Sequence, residues 1–210
     1  MKKSVLVISA VASAVLMMAF ASCNKKSEAA APAPAPAAEA KPAEAAAPAP
    51  AKAAELKPLS DARYVSANDI DKGVVSTSLE QHDGFVLVAT EEKAMEVQSI
   101  ADVPKTVGSD VFTQRISTKG SGKVDYRNIS FPAKAGETIR CYALSSSKTD
   151  SRPLHVVNVE SGEEIGTITM LPDTGSNPVT VEDVAVTKDG KYCVYATSGT
   201  GYIYQVIVGK

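Results

Sequence analysis

The pattern of apolar and polar positions changes character twice along the 210-residue chain. After Lys2 and Lys3, an uncharged and mostly apolar run extends through Phe20. Residues 24–58 are dominated by alanine, proline, glutamate and lysine, with almost no large apolar side chain. From Ser60 onward, short runs of Val, Ile, Thr and Tyr alternate with Gly, Asp, Asn and Ser, and no long window has a helical period. The pattern predicts an export segment, a linker and one all-β domain.

Ten strands are predicted between Gly84 and Gly209 from runs of β-branched and aromatic residues. Turn sequences such as residues 160–163 (ESGE) and 188–191 (KDGK) separate the later strands. Short strands at this spacing predict an antiparallel β-sandwich of the jelly-roll-like kind. Before the strands, residues 65–73 predict a short helix with Ser66 as its N-cap.

The N-terminus predicts a lipoprotein signal peptide over residues 1–22. A charged start and an apolar run lead to two small residues, Ala21 and Ser22, directly before Cys23. This boundary resembles the lipobox of bacterial lipoproteins, in which the cysteine thiol is acylated with fatty acids such as palmitate, although Phe20 stands where leucine is usual. Lipidated Cys23 would anchor the chain without a transmembrane helix. We expect a bacterial cell-envelope location, surface or periplasmic, with the outer membrane or cell surface favoured over the inner membrane. The alternative is an ordinary secretory signal or an uncleaved anchor.

Residues 23–59 predict a disordered linker, because this composition cannot bury enough apolar surface to offset the entropy of ordering. Alternating Ala-Pro favours an extended stalk with a reach of roughly 100 Å. Residues 60–210 are then long enough for one domain with its own core. The mixed charges of the linker and the net charge of −2 give no reason to expect nucleic acid as a partner.

No catalytic constellation is found in the sequence. His82 and His155 lie far apart, with no carboxylate or cysteine at metal-ligand spacing. Adjacent carboxylates such as Glu163 and Glu164 would face opposite sides of a strand, which is poor geometry for shared acid–base chemistry. Ser145 ends a predicted strand instead of joining a strand to a helix, as a nucleophile elbow does. We therefore predict no enzymatic activity, no metal and no cofactor.

Several short motifs occur in a fixed order over residues 64–208. They are RNISF (127–131), ALSSS (143–147), DSRPL (150–154) and the tyrosines of the last hairpin. This succession resembles the non-catalytic β-sandwich module appended to bacterial pectate lyases and related secreted polysaccharide-degrading enzymes. The resemblance implies a carbohydrate-binding domain. Pectinolytic activity is not implied, because the chain has no lyase domain.

Candidate ligand-binding residues follow from what a sugar needs, namely a flat aromatic ring and side chains that pair with hydroxyl or carboxylate groups. Arginine would suit an acidic polysaccharide, since its planar fork grips a carboxylate. In the alternative structural interpretation, Arg152 pairs with Asp150 or caps loop carbonyls. Period-two alternation leaves Tyr202 exposed beside a glycine turn and puts Tyr204 in the core. The candidates are Arg127, Ser145, Ser146, Ser147, Arg152 and Tyr202.

Two cysteines remain in the exported domain besides the predicted lipid site. Cys141 and Cys193 both lie in predicted strands, where the resemblance leads us to expect aliphatic or aromatic residues. They are a candidate disulfide pair, since exported chains meet oxidising conditions. The alternative is that each thiol is a small buried apolar group.

The sequence as a whole predicts a membrane-anchored, non-catalytic lipoprotein whose β-sandwich binds carbohydrate. The alternative is a structural or adhesive lipoprotein that binds another protein and no sugar.

Overall fold

The computed structural model describes residues 56–210, which form fifteen strands and two short 3-10 helices, Ala67–Asp69 and His82–Gly84. The predicted signal peptide, Cys23 and the linker up to residue 55 lie outside the described residues. The strands are β1 (Arg63–Ser66), β2 (Gly73–Val75), β3 (Leu79–Glu80), β4 (Val86–Val88), β5 (Met95–Ser99), β6 (Lys105–Val107), β7 (Asp110–Phe112), β8 (Gln114–Ser117), β9 (Asn128–Ala133), β10 (Thr138–Ser145), β11 (Arg152–Asn158), β12 (Glu164–Met170), β13 (Thr180–Ala185), β14 (Gly190–Ala196) and β15 (Gly201–Gly209).

Two antiparallel sheets build the domain. Sheet A has the order β13-β10-β15-β8-β5-β2, and β1 also pairs with β15. Sheet B has the order β12-β11-β14-β9-β4-β3. A separate hairpin joins β6 and β7. The predicted all-β, antiparallel sandwich is confirmed, and no α-helix occurs within residues 56–210.

The main core lies between the two sheets and follows from period-two alternation. In β10, Ile139, Cys141 and Ala143 enter this core, and in β14 the residues that do so are Tyr192, Val194 and Ala196. In sheet B, Phe131 packs on Phe85 with ring centroids 5.2 Å apart. The alternate residues of each strand therefore point to the outer faces, where the polar and half-buried groups of the domain lie.

A second, smaller core covers part of the outer face of sheet A. Phe112 of the β6-β7 hairpin packs on Tyr142 and Tyr204, with ring centroids 5.7 and 5.6 Å away. Lys105 and Asp173, both buried, form an ion pair of 2.9 Å at this place. The hairpin and the loop that carries Asp173 are thereby fixed onto sheet A.

Strand prediction was correct in kind but incomplete. Strands β1, β2, β3 and β6 were missed, because each has only two to four residues. The single strand predicted over residues 111–117 is two strands, β7 and β8. The short helix after Ser66 is confirmed as one 3-10 turn, and the Ser66 side chain accepts a hydrogen bond from the Asn68 amide.

The facing of β15 differs from the prediction. The pairing of β15 with β10 shifts register next to Tyr142, where Gln205 is followed by Ile203 as the next partner. As a result Ile203, Val206 and Val208 face the main core, whereas Tyr204 is buried in the second core. The predicted burial of Tyr204 is correct, but the side of the sheet was wrong.

The candidate disulfide between Cys141 and Cys193 is not formed, and both cysteines are free and buried. Cys141 in β10 points into the main core from sheet A. Cys193 lies between Tyr192 and Val194, which face that core, so its thiol points to the outer face of sheet B. Burial raises the pKa of both thiols. The alternative interpretation, in which each thiol is a small buried apolar group, agrees with the structure.

The two ends of the described domain meet. The Ser60 amide donates to the Lys210 carbonyl at 2.6 Å, and the Lys210 amide donates to the Ser60 carbonyl at 2.9 Å. Arg63 at the start of β1 grips Glu137 with both ends of its guanidinium, and this hydrogen bonding lowers the pKa of Glu137 to about 2. These contacts join the first and last segments of the described domain.

Within residues 56–210, no helix has the length and apolar character needed to cross a membrane.

Candidate functional site

The outer face of sheet B carries a row of polar and aromatic side chains. His155 of β11 pairs with Thr167 of β12 on one side and with Tyr195 of β14 on the other. Because their sequence neighbours fill the main core, these three side chains point outward together. His155 and Tyr195 are half-buried, and Thr167 is exposed. The row therefore forms a floor that a ligand can reach.

Residues 121–126 form a wall beside this floor. The Gly122 amide donates to the Ala196 carbonyl at 2.7 Å, which attaches the wall to the end of β14. Asn128 donates from its side-chain amide to the carbonyls of Lys123 and Val124, at 2.8 and 2.7 Å. Since Asn128 is fully buried, these bonds hold the wall from beneath.

Gly122 is required by the closeness of this attachment. A Cβ atom at Gly122 would lie 2.3 Å from the Arg127 carbonyl oxygen and 3.0 Å from the Tyr195 Cβ. No side chain fits at that position without displacing the backbone of the wall.

The wall, Tyr195 of the floor and Thr197 after β14 enclose an open groove of about 430 Å³, which we call the sheet B groove. It mixes two tyrosine rings with hydroxyl, amide and charged groups. Its lining residues are Ser121, Gly122, Lys123, Val124, Asp125, Tyr126, Tyr195 and Thr197.

The rings in and beside the groove have fixed neighbours. His155 stacks beside Tyr195 with ring centroids 6.0 Å apart and an interplanar angle of 29°. The Lys93 ammonium lies 5.8 Å from the centroid of the Tyr126 ring, a weak cation–π contact. Tyr126 and Tyr195 are both half-buried, so each presents part of its ring to the groove.

A hydrogen-bonded chain runs along the edge of the floor. His155 Nδ1 lies 2.9 Å from Glu164 Oε2, and His155 Nε2 lies 2.9 Å from Thr197 Oγ1. The Thr167 hydroxyl donates to the other oxygen of Glu164. These hydrogen bonds, first from Thr167 and then from His155, lower the pKa of Glu164. The carboxylate is therefore ionised at neutral pH.

Of the residues predicted from sequence, the structure brings Arg152 and Ser146 together at the loop end of the sandwich. Arg152 donates to the Ser146 hydroxyl at 3.1 Å and to the Thr200 carbonyl at 3.3 Å. Arg152 thus caps a loop carbonyl, as in the structural alternative, although its pairing is with Ser146 and not with Asp150. Ser145 is fully buried, and its hydroxyl accepts from the Ser147 amide.

Arg127 and Tyr202 lie in other surroundings. Arg127 has a positive φ of 51° and donates to the Ala94 carbonyl at 3.2 Å. Tyr202 is half-buried on the outer face of sheet A, with the Arg115 guanidinium 3.5 Å from its ring centroid. The predicted exposure of Tyr202 is therefore wrong, because Arg115 covers the ring. A ligand role for the predicted residues stays a prediction.

The sequence reasoning missed the residues of the sheet B groove. Tyr195 had a usable signal, since alternation allows only one of Tyr192 and Tyr195 to be deeply buried, and Tyr192 is the buried one. Tyr126 had none, because its position depends on how residues 121–126 fold back over β14. Within residues 56–210, no three His, Cys, Asp or Glu side chains cluster as a metal site.

Comparison with known proteins finds a distant structural likeness. No family model matches the chain, and no curated protein matches it. Carbohydrate-binding modules are among the solved structures that it resembles.

Three of these structures show how distant the likeness is. The CBM36-1 domain of a multidomain xylanase from the Trinervitermes trinervoides hindgut metagenome is 10% identical, with 71% of this chain and 98% of that chain covered and a TM-score of 0.39. CsCBM6-3 from Clostridium stercorarium, solved with cellobiose, is 11% identical, with 70% and 93% covered and a TM-score of 0.38. A family 35 module from Clostridium thermocellum is 12% identical, with 70% and 96% covered and a TM-score of 0.38.

Proposed function

We propose that the domain binds a carbohydrate chain in the sheet B groove and that it does so without catalysis. The observation that carries the proposal is the pairing of two half-buried tyrosines, Tyr126 and Tyr195, in one open groove. Aromatic faces pack against the apolar face of a sugar ring, and hydroxyl and amide groups pair with its hydroxyls. Ser121 and Thr197 supply such hydroxyls at the rim of the groove.

The charges near the groove favour an uncharged glycan. All five arginines of the sequence are engaged within the protein, and none lines the groove. Of the charged residues in the wall, Lys123 and Asp125 have opposite signs and are both exposed. An acidic polysaccharide would therefore find no guanidinium fork here, and it would meet Asp125 as well as Lys123. The expectation of an acidic ligand depended on Arg127 and Arg152, which are held elsewhere.

Replacing Tyr195 with alanine is expected to weaken glycan binding by at least tenfold, because one stacked ring contributes roughly 1.5 kcal/mol or more to such a contact. The measurement is native affinity electrophoresis of residues 24–210, which keep every described residue. The gels contain β-glucan, xylan, galactomannan or polygalacturonate, one polymer in each.

The matched control is Tyr64→Ala, which removes an exposed tyrosine of β1, on sheet A, away from the groove. It should leave retardation in every gel unchanged. Binding that is lost with Arg152→Ala but kept in Tyr195→Ala would place the site at the loop end and contradict the proposal. Absence of retardation in every gel would favour the protein-binding alternative.

We also propose that the chain is a lipoprotein held at the outer membrane or cell surface through Cys23. The small residues Ala21 and Ser22 directly before Cys23 support this. The N-terminal end of the described domain lies away from the groove. Ser60 lies beside Lys210, at the end of β15 opposite to Gly201. Gly199 in the turn before β15 bonds to Ser121 of the groove wall. The groove would thus lie about 27 Å from Ser60, where the linker joins the domain.

The Cys23→Ala variant is expected to move from the membrane fraction to the soluble fraction, because it lacks the thiol that carries the lipid. Cell fractionation with detection of the protein by immunoblotting checks this result. A Cys193→Ala variant serves as the control and should stay with the membrane. A Cys23→Ala protein that still sediments with membranes would contradict the lipoprotein proposal.

A further inference from the structure

His155 is held by two partners of different chemistry. On one side its Nδ1 faces the Glu164 carboxylate, and on the other its Nε2 faces the Thr197 hydroxyl, each at 2.9 Å. The His155 side chain is 19% exposed, whereas the Glu164 side chain is 46% exposed and Thr197 is open to solvent. Both ring nitrogens are therefore engaged within the protein.

The carboxylate decides which nitrogen carries the proton. An ionised carboxylate only accepts hydrogen bonds, so Nδ1 must donate to Glu164. In the neutral ring, Nε2 is then an acceptor, and among residues 56–210 its donor is the Thr197 hydroxyl. The Thr197 proton is thus directed at His155 and away from the groove.

Thr197 is exposed and lines the sheet B groove. With its proton committed to His155, its oxygen offers the groove only lone pairs. A ligand group that meets Thr197 must be a hydrogen-bond donor, and an ether or carbonyl oxygen would meet another acceptor without a proton between them.

We propose that Glu164, acting through His155, fixes Thr197 as a hydrogen-bond acceptor, so that the groove selects a glycan with a free hydroxyl at this point. The selection rests on the proposed function of the groove. Glu164 and His155 are positioning residues, since they act through Thr197. An O-acylated or O-alkylated sugar at the same place is rejected, because it cannot donate.

The Thr167 hydroxyl strengthens this arrangement. It occupies the second carboxylate oxygen of Glu164, which leaves Oε2 directed at His155. Stacking of His155 beside Tyr195 further limits rotation of the imidazole. The proton positions along Glu164, His155 and Thr197 are therefore set before a ligand arrives.

The first experiment reads the tautomer of His155 directly. Long-range ¹H–¹⁵N correlation spectra of residues 24–210 report which imidazole nitrogen carries the proton. The sequence has only two histidines, so a His82→Gln background leaves His155 as the single signal. Spectra are recorded at rising pH until they no longer change.

The expected spectrum has a protonated Nδ1 and an unprotonated Nε2. Glu164→Gln should abolish this preference, because an amide can donate to Nδ1 as well as accept from it. Thr197→Val is the matched variant that keeps Glu164, and it should keep the proton on Nδ1. A proton on Nε2 in the parent protein, or no change in Glu164→Gln, would overturn the inference.

The second experiment uses the four polysaccharide gels described above. In the gel that retards the parent protein, Thr197→Val should weaken the affinity for the polysaccharide about fivefold, and the band should be retarded less. Thr197→Ser should restore the parent's affinity. Glu164→Gln should reduce retardation although it removes no group from the groove.

The outcomes separate the two proposals. If Tyr195→Ala loses binding while Thr197→Val and Glu164→Gln bind as the parent does, the groove binds glycan and the selection by Thr197 is wrong. If Tyr195→Ala binds as the parent does, the groove itself is not the site and both proposals fail.

Discussion

Asp173→Asn is expected to lower the free energy of unfolding by about 3–5 kcal/mol, because it removes one partner of a buried ion pair. Asp173 accepts from Lys105 at 2.9 Å and from Arg115 at 3.4 Å. Burial by itself would raise the pKa of Asp173, but the hydrogen bond and charge of Lys105, the amide of Gly175 and the charge of Lys148 together lower it. The carboxylate is therefore ionised, and without it Lys105 would be buried without a counter-charge.

Urea unfolding of residues 24–210, followed by circular dichroism, measures this effect. Glu163→Gln is the matched control, since Glu163 pairs with Lys188 across an exposed contact of 3.5 Å and should change stability little. A double replacement, Lys105→Met with Asp173→Leu, should recover part of the loss, because it removes the buried Lys105 cation together with its counter-charge. Recovery stays incomplete because the half-buried Arg115 also loses its contact with Asp173. Equal stability of Asp173→Asn and Glu163→Gln would contradict this account of the ion pair.

Gly122→Ala is expected to combine a stability loss of about 1–3 kcal/mol with loss of the Tyr195-dependent glycan binding. The added Cβ would lie 2.3 Å from the Arg127 carbonyl oxygen, so the backbone of the wall must move. Movement of the wall breaks the bond from the Gly122 amide to the Ala196 carbonyl and opens the groove. Affinity electrophoresis and urea unfolding of the same preparation separate the two effects.

Gly136→Ala serves as the control for the cost of adding a methyl group to a glycine. Gly136 has a φ of +85°, and a Cβ atom added there would have no atom within 4 Å. Its replacement therefore strains only the local backbone. It should lower stability by about 1–2 kcal/mol and leave retardation by glycan unchanged. If Gly122→Ala binds as tightly as Gly136→Ala, the wall does not shape the binding site.

The sequence predicted the fold well because sandwich strands have a strong period-two signal. In β14 that period alone separates Tyr192, in the core, from Tyr195, on the outer face. The same period gave the wrong facing for β15, because the register shift beside Tyr142 turns Ile203 toward the main core and Tyr204 toward the outer face of sheet A. The shift depends on pairing with β10, which lies more than fifty residues away along the chain. Local periodicity also does not show which strands face each other across the sandwich, so the predicted disulfide between Cys141 and Cys193 was wrong.

The candidate site was harder to predict for a related reason. Arginines and serines at strand ends were selected by their chemistry, and the structure shows that Arg152 is occupied by Ser146 and a loop carbonyl. The sheet B groove instead depends on cross-strand register, which sets His155 beside Tyr195. It also depends on a wall that packs closely only because Gly122 has no side chain. Neither cross-strand register nor loop packing can be predicted from the periodicity of a single strand.

The meeting of Ser60 with Lys210 has a mechanical consequence for a tethered protein. If the chain is anchored as proposed, a polymer bound in the groove would transmit its load through the domain to Ser60. A load applied at Ser60 along the axis of β1 would act against β15, with which β1 forms four residue pairs from Arg63 to Ser66. Hydrogen bonds loaded in this direction share the force and must break together, whereas a peeling load would break them one after another. Under the proposed anchoring through Cys23, the pairing of β1 with β15 would resist such a load on the linker.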